Sequence, residues 1–99
     1  MSNSKSNSNI EMKNYMEDCV MNMLPAVLET MDDICKCERC QMDIAAYALN
    51  YLPPKYVVAR TGRLYAKLNT MYAQFHVDVA TAVTNGAKMV SENPRHDEL

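Results

Sequence analysis

The chain has 99 residues, a length that fits one domain rather than two. Its 12 acidic and 10 basic side chains leave a formal net charge of −2, which argues against a general nucleic-acid binder with a basic face. No apolar run approaches the roughly 20 residues that span a bilayer, so no membrane segment is predicted. A chain this short often needs a metal, a disulfide or a partner subunit to be stable.

Residues 1–9 are rich in serine and asparagine, and we expect a disordered N-terminal tail with no signal peptide. Because three of the four cysteines cluster and no secretory signal precedes them, the sequence indicates a reducing, cytoplasmic setting. The folded domain is predicted over residues 10–96, and residues 97–99 form a short C-terminal tail.

The first predicted helix covers about residues 10–31, with Asn9 as its N-cap. Pro25 interrupts this pattern and predicts a kink or a division into two helices. The helical period appears in one apolar stripe, whose members are Met12, Met16, Cys19, Met23, Val27 and Met31.

The second predicted helix, residues 41–52, is apolar on nearly every side, which is typical of a helix buried all round. One small subunit can hardly cover such a helix, so a homodimer is the simplest explanation. Residues 56–59, which include two β-branched valines, give the only predicted strand. This strand is either plain extended chain or pairs with its copy in a second subunit.

The third predicted helix is the longest, from about residue 63 to residue 92, and Gly86 within it suggests a close helix crossing. Pro94 ends it. The sequence therefore predicts an all-α fold, a small bundle of three main helices with one short extended segment.

Cys35, Cys37 and Cys40 lie within six residues, close enough for their thiolates to face one point. Three such ligands suit a soft tetrahedral ion, so we predict a structural zinc site. The alternative is a redox pair at Cys37 and Cys40, but the sheet that usually accompanies such a pair is absent from the sequence pattern. A catalytic zinc is disfavoured because no His-x-Glu motif lies upstream.

A closed zinc site needs a fourth protein ligand, and three residues are candidates. His96 is favoured because it follows the long third helix and can reach the cluster. Cys19 lies sixteen residues before Cys35, roughly 24 Å along a continuous helix, so it is better explained as a core residue. His76 fits a helix surface or an interface.

Several motifs together resemble the ComFB family, the late competence development proteins of bacteria. They are Asn14-Tyr15-Met16-Glu17, the cysteine cluster, the segment 43–58 with its Ala-Leu-Asn-x-Leu-Pro-Pro-x-Tyr pattern, Gly62, Gln74-x-x-x-Asp78-Val79 and Pro94-Arg95-His96. The resemblance implies a mainly helical homodimer with one zinc per subunit and no enzymatic activity. It also implies a cyclic dinucleotide ligand, because some family members are receptors for such second messengers.

A basic cluster supplies candidate contacts for this ligand. Its members are Lys55, Arg60, Arg63 and Lys67, interleaved with Tyr56 and Tyr65. Arginine supplies forked donors for phosphates, and tyrosine stacks on bases. Gln74 and Asp78 lie one turn apart and can read a guanine edge or form polar contacts across a dimer. The alternative is that these basic residues belong to an ordinary solvated loop and helix start without a ligand.

The sequence thus favours a receptor for c-di-GMP or c-di-AMP that acts through a downstream protein partner. The alternative is a competence-related scaffold or adaptor with structural zinc and no small ligand. Direct binding to membranes or nucleic acids is not expected.

Overall fold

The computed structural model describes residues 10–60 and 72–95. Its elements, in chain order, are β1 (Ile10–Asn14), α1 (Tyr15–Glu29), α2 (Glu38–Tyr51), β2 (Tyr56–Arg60) and α3 (His76–Glu92). Residues 72–74 are also helical, and a turn at Phe75 separates them from α3, so the predicted long third helix is interrupted there. Among these described residues, none of the helices has the length and apolarity needed to cross a bilayer.

The two strands form an antiparallel ribbon in which Met12 lies opposite Val58. The predicted set of three main helices is confirmed, but the description all-α is incomplete, because the predicted lone strand has a partner within its own chain. The cause lies in residues 10–13, which alternate between apolar and charged side chains. That alternation is the period of a strand with two different faces, whereas the prediction assigned this segment to a helix.

Asn14 fastens the ribbon to α1 and to the chain that follows α2. Its Oδ1 accepts hydrogen bonds from the backbone N–H of Met16 at 3.1 Å and of Lys55 at 2.8 Å. The N–H of Tyr15 in turn donates to the carbonyl of Lys55 at 2.8 Å. Asn14, and not Asn9, is therefore the N-cap of α1. The helix continues without division through Pro25, whose ring lies at an exposed position.

The three helices pack their apolar faces into one core. Cys19 is fully buried in this core, which confirms its interpretation as a core residue. α2 begins at Glu38, three residues before the predicted start, and buries only one face. Met42 and Tyr51 on its other faces are 53% and 70% exposed, so the predicted burial on every side is not achieved within one chain. The homodimer stays a prediction.

Gly86 marks the crossing of α2 and α3. A Cβ atom at this position would lie 3.0 Å from the carbonyl oxygen of Ile44 and 3.1 Å from Cδ1 of Tyr47. The absence of a side chain lets the two helices approach closely, as the sequence predicted. This contact fixes α2, whose first turn carries part of the candidate site.

Candidate metal centre

The three clustered cysteines meet where the loop after α1 enters α2. Cys35 and Cys37 come from the loop, and Cys40 comes from the first turn of α2. Their sulfur atoms all lie within 4.8 Å of one another. Cys37 is the N-cap of α2, and its Sγ accepts a hydrogen bond from the N–H of Cys40 at 3.5 Å. The structure therefore confirms the predicted cluster, with no disulfide joining its members.

Side chains that the sequence analysis did not single out hold this loop in place. The Nε2 of Gln41 donates to the carbonyl of Lys36 at 2.6 Å, which closes the loop onto the helix. Arg39 and Asp43 form an ion pair at 3.1 Å along the same helix. Their opposite charges four residues apart were the available signal for this pair. Together these contacts restrain the backbone on both sides of Cys37 and Cys40.

The three thiols differ in their exposure. Cys40 is 1% exposed, Cys35 is half-buried and Cys37 is exposed. Burial raises the pKa of the Cys40 thiol to about 12, and hydrogen bonds and charge from Cys37 and Cys35 add to the rise. Three thiolates at such a point repel one another unless a cation compensates their charge. A bound divalent ion reverses this balance and deprotonates its thiol ligands.

The donor set and its spacing fit zinc. At a Zn–S distance of about 2.3 Å, a tetrahedral ion holds its sulfur ligands roughly 3.8 Å apart. Since the sulfurs already lie within 4.8 Å of one another, binding needs a contraction of only about 1 Å or less. Three thiol donors favour a soft ion over magnesium or calcium. The positive end of the α2 dipole also favours negative charge at this position.

The structure reduces the number of candidates for the fourth ligand. Within residues 10–60 and 72–95, neither Cys19 nor His76 joins the three cysteines. Cys19 lies in the core, and the ring of His76 lies edge-on to Tyr72 at 5.8 Å. His96 falls outside the described residues, so its role as the fourth ligand stays a prediction.

The predicted dinucleotide contacts are only partly described. Arg60 ends β2 and is exposed, and Gln74 and Asp78 are exposed on either side of the turn at Phe75. Lys55 has another contact, because its Nζ lies 5.1 Å from the centre of the Phe75 ring. The other predicted contacts, Arg63, Tyr65 and Lys67, lie outside the described residues. The ligand site as a whole stays a prediction.

A surface groove that the sequence did not reveal lies between α2 and the end of α3. It has a volume of about 370 Å³. Its lining residues are Asp43, Ala46, Tyr47, Met89, Val90, Asn93 and Arg95. The mixture of an acid, a base and apolar side chains gives it no single chemical preference. Two of its lining residues connect it to the rest of the fold, since Val90 packs against the core and Tyr47 lies beside Gly86 at the helix crossing.

Comparison with known proteins gives a consistent result. The family model described as late competence development protein ComFB matches residues 13–94. The competence protein ComFB of Bacillus subtilis (strain 168) is 27% identical over 81 residues, which cover 82% of this chain and 83% of that protein. A solved structure of ComFB from Bacillus subtilis superimposes with a TM-score of 0.71 at 23% identity. That match covers 87% of this chain and 94% of the other, and it shows the shared fold.

Proposed function

The chain belongs to the ComFB family of late competence development proteins, and from that membership we propose that it is a non-enzymatic, zinc-binding regulatory homodimer. The proposal of metal binding is supported by the three cysteine sulfurs, which lie within 4.8 Å of one another. The zinc is structural in this proposal. It joins the loop after α1 to the first turn of α2, so its binding free energy contributes to folding.

Each residue at the centre has a separate part in this proposal. Cys35 and Cys37 supply thiolates from the loop, and Cys40 supplies one from the helix. The N–H of Cys40 that bonds to the Cys37 sulfur orients this sulfur, as outer contacts commonly do around a metal. His96 is the proposed fourth ligand and would attach the chain beyond α3 to the same ion.

Elemental analysis of protein purified without chelators tests the metal site. We expect one zinc per chain in the wild type and in Cys19→Ala, and loss of zinc in Cys40→Ala. The two variants are matched because both replace a buried cysteine by alanine, but only Cys40 belongs to the cluster. A metal-free wild type with intact helical circular dichroism, or full zinc occupancy in Cys40→Ala, would contradict the proposal.

We further propose that the ligand is a cyclic dinucleotide. Family membership and an exposed arginine at the end of β2 support this proposal. The proposed contacts are Arg60, Arg63, Tyr65, Lys67, Gln74 and Asp78. Two copies of such a patch around a two-fold axis would match a ligand that has two-fold symmetry itself.

Calorimetry with c-di-GMP and c-di-AMP tests the ligand, using zinc-loaded protein at tens of micromolar. We expect binding by the wild type and by Lys88→Ala, and weaker binding by Arg60→Ala. Lys88 is a suitable control because it is an exposed base on α3 outside the proposed patch. An absence of heat with both nucleotides would favour the second function, a scaffold or adaptor without a small ligand. Exposed Met42, Tyr51 and Met89 give that alternative a contact surface.

A further inference from the structure

The β1–β2 ribbon carries four exposed large apolar side chains on one of its two faces. The register places alternate residues of both strands on one face, here called the outer face. Its large apolar members are Ile10, Met12, Tyr56 and Val58, which are 54%, 70%, 63% and 62% exposed. The opposite face carries Glu11, Lys13 and Val57, all partly buried, and Lys13 forms an ion pair with Asp18 of α1 at 3.3 Å.

This distribution is unusual for an antiparallel pair. Such a sheet normally packs its apolar face on the core and turns its polar face to water. A two-stranded ribbon is also marginally stable when nothing covers it. Here Lys13 attaches the inner face to α1, while the four large apolar side chains of the outer face are more than half exposed among the described residues. The arrangement suits a surface that is covered by something outside the chain.

We propose that the outer face is the surface on which two copies of this chain meet, with ribbon packed against ribbon. The inference rests on the proposed homodimer and names the surface that forms it. At their exposed fractions, the four apolar side chains offer roughly 500 Å² per copy, near the size of the largest apolar patch on a typical monomer. Two copies then bury about 1,000 Å² in total, which reaches the threshold for a specific interface.

A second copy fits this face better than other occupants do. The chain's net charge of −2 disfavours an anionic membrane or a nucleic acid. Met12 and Val58 lie opposite each other at the centre of the ribbon. A two-fold axis between two ribbons therefore brings this apolar pair against its own copy, as an isologous interface requires.

The other exposed apolar surface is less suitable. Met42 lies on α2 in a depression that it shares with three charged residues, Glu38, Arg39 and Asp43. Charged residues are depleted at the centres of protein interfaces, where they would lose their hydration. The outer face of the ribbon has its charged residue, Arg60, at one end and none at its centre. The ribbon is therefore the better candidate for the buried centre of a dimer.

Sedimentation equilibrium on the full, zinc-loaded chain tests the proposal with the double variant Met12→Gln/Val58→Thr. Both substitutions nearly keep the size of the side chain, and both positions lie outside the core. Because each change occurs twice in a symmetric dimer, we expect the dissociation constant of the dimer to rise at least tenfold. The matched control is Met21→Gln/Val77→Thr, the same substitutions at exposed positions on α1 and α3, and it should leave the constant unchanged.

A third variant, Met42→Gln/Met89→Gln, distinguishes the ribbon from the surface of α2 and α3. Circular dichroism and zinc content confirm that each variant is folded. If the wild type is a dimer that the ribbon variant leaves intact, the ribbon interface is refuted and the proposed homodimer stands. If the wild type remains a monomer at about 100 μM, both are refuted, while the zinc proposal is judged separately by elemental analysis.

Discussion

Replacement of Gly86 by alanine tests the helix crossing that positions α2. The new Cβ would lie 3.0 Å from the carbonyl oxygen of Ile44, 3.4 Å from Cγ2 of the same residue and 3.1 Å from Cδ1 of Tyr47. The Tyr47 ring can rotate aside. The carbonyl belongs to the backbone in the middle of α2, so the helices themselves must separate to accommodate the methyl group.

Two opposing effects determine the change in stability. Alanine in a helix interior is favoured over glycine by about 1 kcal/mol. Overpacking of a closely packed contact costs about 1–3 kcal/mol. Because the nearest atom is backbone rather than a flexible side-chain end, we expect overpacking to dominate, with a net loss of about 1 kcal/mol. For a domain of this size, the Tm should fall by about 4–8 °C.

Urea unfolding of the zinc-loaded protein at one fixed concentration measures this loss. Asn85→Ala is the matched control, because Asn85 is exposed in the same helix and lies next to Gly86. Its free energy of unfolding should rise by about 0.5 kcal/mol, because alanine has the higher helix propensity and makes no new contact. If Gly86→Ala gains stability to the same degree as Asn85→Ala, the helices have room for a side chain and the close crossing is not a constraint.

Two further predictions concern the start of α1. Asn14→Ala removes the acceptor for the N–H groups of Met16 and Lys55, and it should lower the unfolding free energy by about 1–2 kcal/mol in urea, whereas Asn14→Asp should keep most of it. A full loss in Asn14→Asp would contradict this role. Tyr15→Phe should raise the Tm by a few degrees, since the Tyr15 hydroxyl is buried without a hydrogen-bond partner in the described part of the chain. Burial and the charges of Asp18 and Glu11 raise the pKa of Tyr15. Above about pH 10 the folded state therefore keeps a proton that the unfolded state releases. The free energy of unfolding consequently falls as the pH rises through this range. Tyr15→Phe should reduce that alkaline loss in Tm measurements between about pH 8 and 11, and parallel curves for the two proteins would refute the link.

The sequence predicted best those features that depend on neighbouring residues. The three clustered cysteines were visible because they lie within six residues of one another in the chain. The core position of Cys19 followed from the helical period of its neighbours, which the structure confirms. The interaction between Gly86 and α2 was also suggested by one glycine inside a regular helical pattern.

The missed features depend on contacts between distant parts of the chain. Met12 and Met16 are four residues apart and fit a helical stripe, yet Met12 belongs to a strand whose partner, Val58, lies 46 residues later. Pairing over such a separation leaves no local signal except the alternation of residues 10–13. The cap was misplaced for the same reason, since α1 starts only after β1 ends, and the capping Asn14 also accepts a hydrogen bond from the distant Lys55.

The contacts of Asn14 change the expected role of the proposed metal. α1 and α2 are joined at one end by the loop that carries Cys35 and Cys37. At the other end, Asn14 holds the start of α1 against the backbone of Lys55, just beyond α2. The helix pair is therefore fastened at both ends, and the cysteine cluster secures only one of them. Because the core and the Asn14 contacts remain when that end loosens, we expect removal of the proposed zinc to loosen first the loop and the first turn of α2 rather than the whole bundle.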